Sequence, residues 1–273
     1  MRGEFVDLGG ARLYYYAAGT RGAGEPVVFL HGFPTSGHLW GEVVEQMPAG
    51  HRLVVADLLG YGRSDPPSGR ELSLRAHAER VVQLLDELRI DRACVVGHDL
   101  GGGIAQVMAL DWPDRVSRMA LVNGIGFSGW LTRDARIARF LLPLLRLLPS
   151  RLLLPIARAE LERGYADPVR AAHSIDRYQR PYASDAGRDV LLEQLHALDT
   201  AETAALGARL GELAIPVTVI AGAHDPFVPA ALARRIAAAI PNATCHMLGE
   251  GRHFLPEEAP RAVAERIQEL LER

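Results

Sequence analysis

Three titratable side chains stand just past short apolar runs: Asp99 in VVGHDLGG (95–102), Asp225 in VIAGAHDPF and His253 in GEGRHFLPEE. In chain order they read nucleophile, acid, histidine, an order in which an oriented base serves a nucleophile set on a strand-to-helix turn. Gly97-His98-Asp99-Leu100-Gly101 follows one of those runs and opens the helical stretch GGGIAQVMALDW. So tight a turn forces its central residue into a strained backbone conformation, and side chains on the flanking glycines would collide with it. The same glycines lack the G-x-G-x-x-G spacing of a dinucleotide site. Singly, His253 reads as a surface histidine and Asp225 as a turn residue before Pro226. Their shared placement makes a triad of Asp99, Asp225 and His253 the expectation. A fourth loop, His31-Gly32-Phe33-Pro34, offers the backbone N–H of Phe33, which with that of Leu100 can point at a developing oxyanion. His31 itself is expected to brace the loop.

Such loops meet only if the elements before them lie side by side. PVVFLHG (26–32), HRLVVADL (51–58), RACVVGHD (92–99), VSRMALVN (116–123), IPVTVIAG (215–222) and ATCHMLGE (243–250) are continuously apolar, as buried parallel strands are. LSLRAHAERVVQLLDELRI carries apolar residues at helical spacing, with Ser73 as its cap. Strands alternating with helices predict an α/β fold with a doubly wound, mostly parallel sheet, whose following loops gather on one edge. The N-terminal MRGEFVDLGGARLYYYAAG reads as two strands around a Gly-Gly turn. The alternation lapses over 126–211, a helical stretch rich in Leu, Arg and Ala. It is expected to be a cap inserted between core segments 1–125 and 212–273, since its flanks lack the polar linkers of a separate domain.

Composition narrows the partners. The 273 residues carry 30 basic and 33 acidic side chains, a formal net charge of −3, with the signs mixed along the chain. That predicts no basic face for nucleic acid or membrane, and leaves a small, largely apolar molecule as the partner; a homodimer is compatible with it. Every basic residue is arginine, which excludes a Schiff-base lysine. No metal or other cofactor is implied. Cys94 and Cys245 lie in apolar runs and are expected to be small buried hydrophobes. The N-terminus has no signal pattern, so a cytoplasmic location is expected. FLLPLLRLLPSRLLLPI (140–156) is broken by three prolines and two arginines, a poor membrane span.

HGFPTSGHLW, DLLGYGRSDPP, GHDLGG and GRHFLPEEAP resemble the α/β-hydrolase superfamily over nearly the whole chain, and within it the aspartate-nucleophile branch of epoxide hydrolases and haloalkane dehalogenases. The resemblance implies Asp99 as nucleophile, Asp225 as acid, His253 as base, and Phe33 and Leu100 as oxyanion-hole amides. Asn123 matches a strand end where some members keep the acid; an amide cannot do that work. A carboxylate attacking a carbonyl would form a reactive anhydride, whereas attack on saturated carbon leaves an alkyl ester that water can cleave. Dehalogenases of this kind use a tryptophan donor where Leu100 stands, and fluoroacetate dehalogenases use arginines where Leu100 and Gly103 stand. Opening of an epoxide is therefore the favoured reading, with a dehalogenase-like hydrolase, or a non-hydrolytic enzyme or binder on this scaffold, as alternatives. Epoxide hydrolases hold the epoxide oxygen with two cap tyrosines. Tyr165, Tyr178, Tyr182, His173, His196 and Trp130 are the cap donors available, with Tyr178 and Tyr182 sharing one helical face if the helix passes Pro181. The core loops around Asp99 are expected to offer only backbone amides.

Overall fold

In the computed structural model, which describes residues 3–19 and 24–273, one eight-stranded sheet runs through the molecule. Its strands are β1 (Glu4–Asp7), β2 (Arg12–Gly19), β3 (Val27–Leu30), β4 (Arg52–Ala56), β5 (Ala93–His98), β6 (Val116–Val122), β7 (Val217–Gly222) and β8 (Ala243–Leu248). They lie in the order β1-β2-β4-β3-β5-β6-β7-β8; β2 pairs antiparallel with both β1 and β4, and every other neighbouring pair is parallel. The turn between β1 and β2 passes through Gly9 and Gly10, both at positive φ. β3, β5 and β7 are buried at every residue, as their uninterrupted Val, Ile and Ala runs predict. β8 departs from that expectation. It is an edge strand, so one side lacks a neighbour and Cys245 is exposed, whereas Cys94 on β5 is buried.

Helices cover both faces. α1 (Gly41–Gln46) packs on the C-terminal helix α12 (Pro260–Leu271) on one side; α2 (Leu74–Glu87), α3 (Leu100–Asp111) and α10 (Ala230–Ala239) lie on the other. Ser73 caps α2, its hydroxyl accepting the Ala76 N–H at 3.1 Å. The short α11 (Leu255–Glu258) precedes α12.

Between β6 and β7 the chain leaves the sheet for a cap-like helical insertion: α4 (Arg133–Phe140), α5 (Leu142–Leu145), α6 (Ser150–Glu162), α7 (Pro168–Gln179), α8 (Asp185–Ala197) and α9 (Thr200–Arg209). The insertion shares the apolar cores of the body. Leu191, Leu195 and Leu206 join the cluster that holds α2 and α3, and Tyr165, Ile175 and Tyr178 join the one that holds α1 and α12. Glu202 of α9 fastens the junction by accepting the Leu74 and Arg75 N–H groups, two of the unpaired donors that open α2. The sheet matters for function because pairing aligns the strand ends. Leu30 lies opposite Gly97, His98 opposite Val122, and Gly222 opposite Leu248, so the loops carrying residues 31–33, 99, 123, 225 and 253 leave the same edge.

Candidate active site

Asp99 occupies the turn between β5 and α3 at φ +49° and ψ −116°, a conformation that any residue with a Cβ disfavours. It is held there because its carbonyl accepts the Gly102 N–H at 2.9 Å and the Ile125 N–H at 3.2 Å. The neighbours must be bare. A Cβ on Gly97 would strike the Gly101 carbonyl, and one on Gly32 would strike the Asp99 carboxylate. Oδ2 of Asp99 accepts the Phe33 N–H at 3.0 Å, and the neighbouring Leu100 N–H also favours the charged carboxylate. Burial pushes the Asp99 carboxyl above the ordinary carboxylate range. The His253 charge and the two N–H groups pull against that shift without cancelling it, and Asp225 adds to it.

His253 and Asp225 are joined at 2.8 Å, Nδ1 to Oδ2, with both side chains buried. The other Asp225 oxygen accepts the Phe227 and Val228 N–H groups at 2.8 and 3.0 Å, so the carboxylate cannot rotate without losing them. Burial draws the imidazole down, but Asp225, Asp99 and Glu258 outweigh it and leave His253 above its ordinary value. With Nδ1 engaged, Nε2 is the nitrogen left for proton transfer.

The loop that carries His253 is tied from behind. Asn123, at the end of β6 and at φ +45°, donates from Nδ2 to the carbonyls of Arg252 (2.8 Å) and His253 (2.7 Å) and accepts the Gly222 N–H at Oδ1 (2.9 Å). His98 also donates from Nε2 to the His253 carbonyl at 2.9 Å, and its ring lies 4.6 Å from that of His253. On the opposite side His31 donates from Nδ1 to the Gly32 carbonyl and accepts the Leu58 N–H at Nε2, 2.9 and 3.0 Å. It is fully buried, which lowers it to about 4, so it braces the loop as a neutral ring.

A family model described as alpha/beta hydrolase fold matches residues 25–260. The chain belongs to the α/β-hydrolase fold family. A relative in Variovorax paradoxus (strain S110), named for carbamate hydrolysis, is 30% identical over 239 residues, covering 84% of this chain and 85% of that one. The dihydrolipoyllysine-residue acetyltransferase component of an acetoin cleaving system in Cupriavidus necator is 31% identical over 257 residues, 92% of this chain; the chain spans 64% of that longer protein. The solved structure of an α/β hydrolase fold protein from Burkholderia ambifaria superposes with a TM-score of 0.90 over 97% of both chains, at 24% identity.

In this α/β hydrolase the cap donors named from sequence are mostly engaged elsewhere. Tyr165 and Tyr178 both donate to the buried Glu257, together with Ser174; the Ser174 and Tyr178 distances are 2.8 and 2.9 Å. Tyr182 donates to Oε1 of Gln194 at 3.0 Å, while Nε2 of Gln194 holds the Gly60 carbonyl. Tyr178 and Tyr182 therefore do not share a helical face: α7 ends at Gln179, and Pro181 sits in a separate 3-10 turn because proline cannot supply the next helical N–H. Trp130 donates to Thr203 at 2.8 Å, and His173 and His196 are exposed.

Tyr61, in the DLLGYG loop after β4, is a further side chain near the site that is not among the donors expected from sequence. Its ring is 2% exposed and meets His31 edge-on at 5.3 Å, and its hydroxyl has no hydrogen-bond partner among the described residues. Burial raises this phenol, and the charges of Tyr182 and Asp99 raise it further. The core loops thus offer a side-chain donor as well as amides. A phenol in a strand-end loop was the available signal.

Proposed function

We propose that this hydrolase opens epoxides through a covalent ester on Asp99. The observation that carries the reading is the division of labour within one carboxylate: the Phe33 N–H holds Asp99 through Oδ2, which leaves Oδ1 to attack, while the Leu100 N–H at the start of α3 lowers the cost of its charge. Oδ1 would displace the epoxide oxygen from saturated carbon, forming one C–O bond as another breaks. The departing oxygen takes a proton from a phenol and stays on the product as a hydroxyl. Water then adds to the Asp99 carboxyl carbon and gives its proton to Nε2 of His253, which Asp225 orients. The negative charge of that adduct develops on an Asp99 oxygen already facing two amides, where preorganised donors act most strongly. Collapse releases a diol, its second hydroxyl taking the proton back from His253, and the proton that water left on the Asp99 carboxyl returns to the phenolate, which restores both groups. The scheme requires no cofactor.

Leu100 has no side-chain donor for a halide, which disfavours dehalogenation. The Variovorax relative raises a second reading, hydrolysis of a carbamate with Asp99 as a base, since carboxylate attack on that carbonyl would give an anhydride. Isotope placement separates the two. One turnover in ¹⁸O-labelled water should leave label in Asp99 and none in the diol, and His253→Gln should accumulate as protein plus substrate in an intact mass spectrum. Label in the product on the first turnover, with no adduct in the variant, sinks the covalent scheme.

A further inference from the structure

The outer face of the cap takes no part in the chemistry above. Among the described residues eight large apolar side chains stand out into solvent, and six of them fall between 137 and 156: Ile137, Phe140, Leu144, Leu147, Leu152 and Ile156. Phe140 is 84% and Leu147 77% exposed, too open for edges of a packed core. Four of them fall at steps of three and four residues, which is one stripe of a helix. The pitch carries across the break between α4 and α5: the Leu141 N–H reaches the Ile137 carbonyl at 2.9 Å and the Arg146 N–H the Leu142 carbonyl at 3.0 Å. The reverse side of this segment, at Leu142, is buried, and α4, α5 and α6 all rest on α8.

Charge identifies the occupant. Arg133 heads the same stripe, four residues before Ile137, and Arg136 and Arg146 flank it; all three are exposed and make no ion pair. The lone acid of this segment, Asp134, is already paired with Arg163 at 3.0 Å. We infer that this face lies on an anionic lipid bilayer, its leucines and Phe140 entering the acyl boundary while the arginines reach the phosphates along their own apolar stems. A second copy docked through the same face would set unpaired arginines against unpaired arginines, which works against a symmetric dimer. No described helix is long and apolar enough to cross a membrane, and an interfacial segment needs none. The overall charge of −3 hides this because it averages over the chain, whereas residues 133–156 hold one acid against five arginines. The inference does not depend on the reaction at Asp99.

Flotation of the purified protein with vesicles tests it. The protein should rise with vesicles containing phosphatidylglycerol and stay behind with pure phosphatidylcholine, and added salt should release it. The combined substitution Phe140→Ser, Leu144→Ser and Leu147→Ser should abolish flotation. Replacing Arg133, Arg136 and Arg146 by Gln should weaken it about five-fold per arginine. All six changes are on the surface, so unaltered melting temperatures keep the comparison clean. Absence of flotation overturns the inference, as does flotation indifferent to lipid charge, or a concentration-dependent dimer in sedimentation that the serine variant dissolves.

Discussion

The backbone N–H of His253 donates to the carbonyl of Gly164 at 3.0 Å, so the residue read as the base is hydrogen-bonded directly to the cap. The next residues reinforce the joint. The Tyr165 ring stacks on Phe254 at 4.2 Å with its hydroxyl on Glu257, and the Ala166 N–H reaches Glu258. A cap displaced to admit substrate would pull on these bonds, while Asn123 and His98 hold the same loop to the sheet. Geometry at His253 therefore depends on both layers.

Glu257 is the pin of that joint. An ionised carboxylate only accepts, and here it takes three hydroxyls. Glu257→Ala would leave three buried donors unsatisfied at about 1–3 kcal/mol each, and at roughly 2–4 °C per kcal/mol the melting temperature should fall on the order of 10 °C. Glu257→Gln keeps an acceptor and should cost far less. Burial holds the Glu257 carboxyl above its ordinary value even against its three hydroxyl donors. The folded state thus keeps its proton to higher pH than the unfolded chain, and this group's contribution to stability declines as pH rises from about 4.3 through the raised value. Glutamine lacks that slope. Urea unfolding across the window should show the stability of Glu257→Gln gaining on wild type as pH increases; parallel curves would mean that the carboxylate titrates normally.

Asn123 anchors the His253 loop to the sheet, a job that can be broken by exchanging one heavy atom. Asn123→Asp replaces a donor facing two carbonyls with an oxygen, losing both bonds and adding repulsion in a buried place. A destabilisation of about 3 kcal/mol or more is expected, with slower release of the Asp99 ester because the His253 loop loses its anchor. Chemical denaturation and single-turnover kinetics measure the two effects. A fully stable, fully active Asn123→Asp variant would show that the anchor is dispensable.

What was legible in the sequence was whatever depends on one stretch at a time. Uninterrupted Val and Ile runs announced the buried strands, and glycines around Asp99 announced a turn whose packing demands them. Cys245 misled because apolar composition does not distinguish an edge strand from a central one. The cap donors were harder, since hydrogen-bond partners of a phenol are set by tertiary packing: Tyr165 and Tyr178 find a carboxylate 92 and 79 residues away. Glu257 was in view in the motif that contains His253, but only the fold reveals what it holds. Tyr61 was overlooked because a tyrosine between glycines reads as a turn residue.

The pH profile follows from His253. Burial would lower this imidazole, but Asp225 and Asp99 raise it above the ordinary value of about 6.5. In the proposed scheme ester hydrolysis needs the neutral ring, and with Asp99 esterified it is Asp225 that chiefly raises it, so turnover should fall as pH drops and level off on the alkaline side. Asp225→Asn removes the first of the raising charges. The acid limb should move to lower pH while the plateau falls by roughly 10²- to 10⁴-fold from loss of tautomer and orientation. Steady-state rates between mild acid and mild base would show it. An unmoved limb would assign the titration to another group.

In the proposed reaction, Tyr61 is the donor we assign to the departing oxygen. An alkoxide leaving a buried site must be met by a donor, and a phenol raised by burial and by the Asp99 charge stays protonated until that base appears. Tyr61 also has nothing to give up, whereas Tyr182 must release Gln194 and Tyr165 and Tyr178 must release Glu257. Tyr61→Phe should therefore slow formation of the Asp99 ester by roughly 10²- to 10⁴-fold. Because the hydroxyl has no partner to lose, the melting temperature should hardly change. Tyr182→Phe breaks the bond to Gln194 and should cost about 1 kcal/mol of stability, with a smaller kinetic effect. Rapid-quench measurement of adduct formation, in a His253→Gln background where the ester persists, reads the first step alone. Should Tyr61→Phe alkylate at the parent rate while Tyr182→Phe does not, the donor is in the cap after all, and the bond to Gln194 serves to aim it.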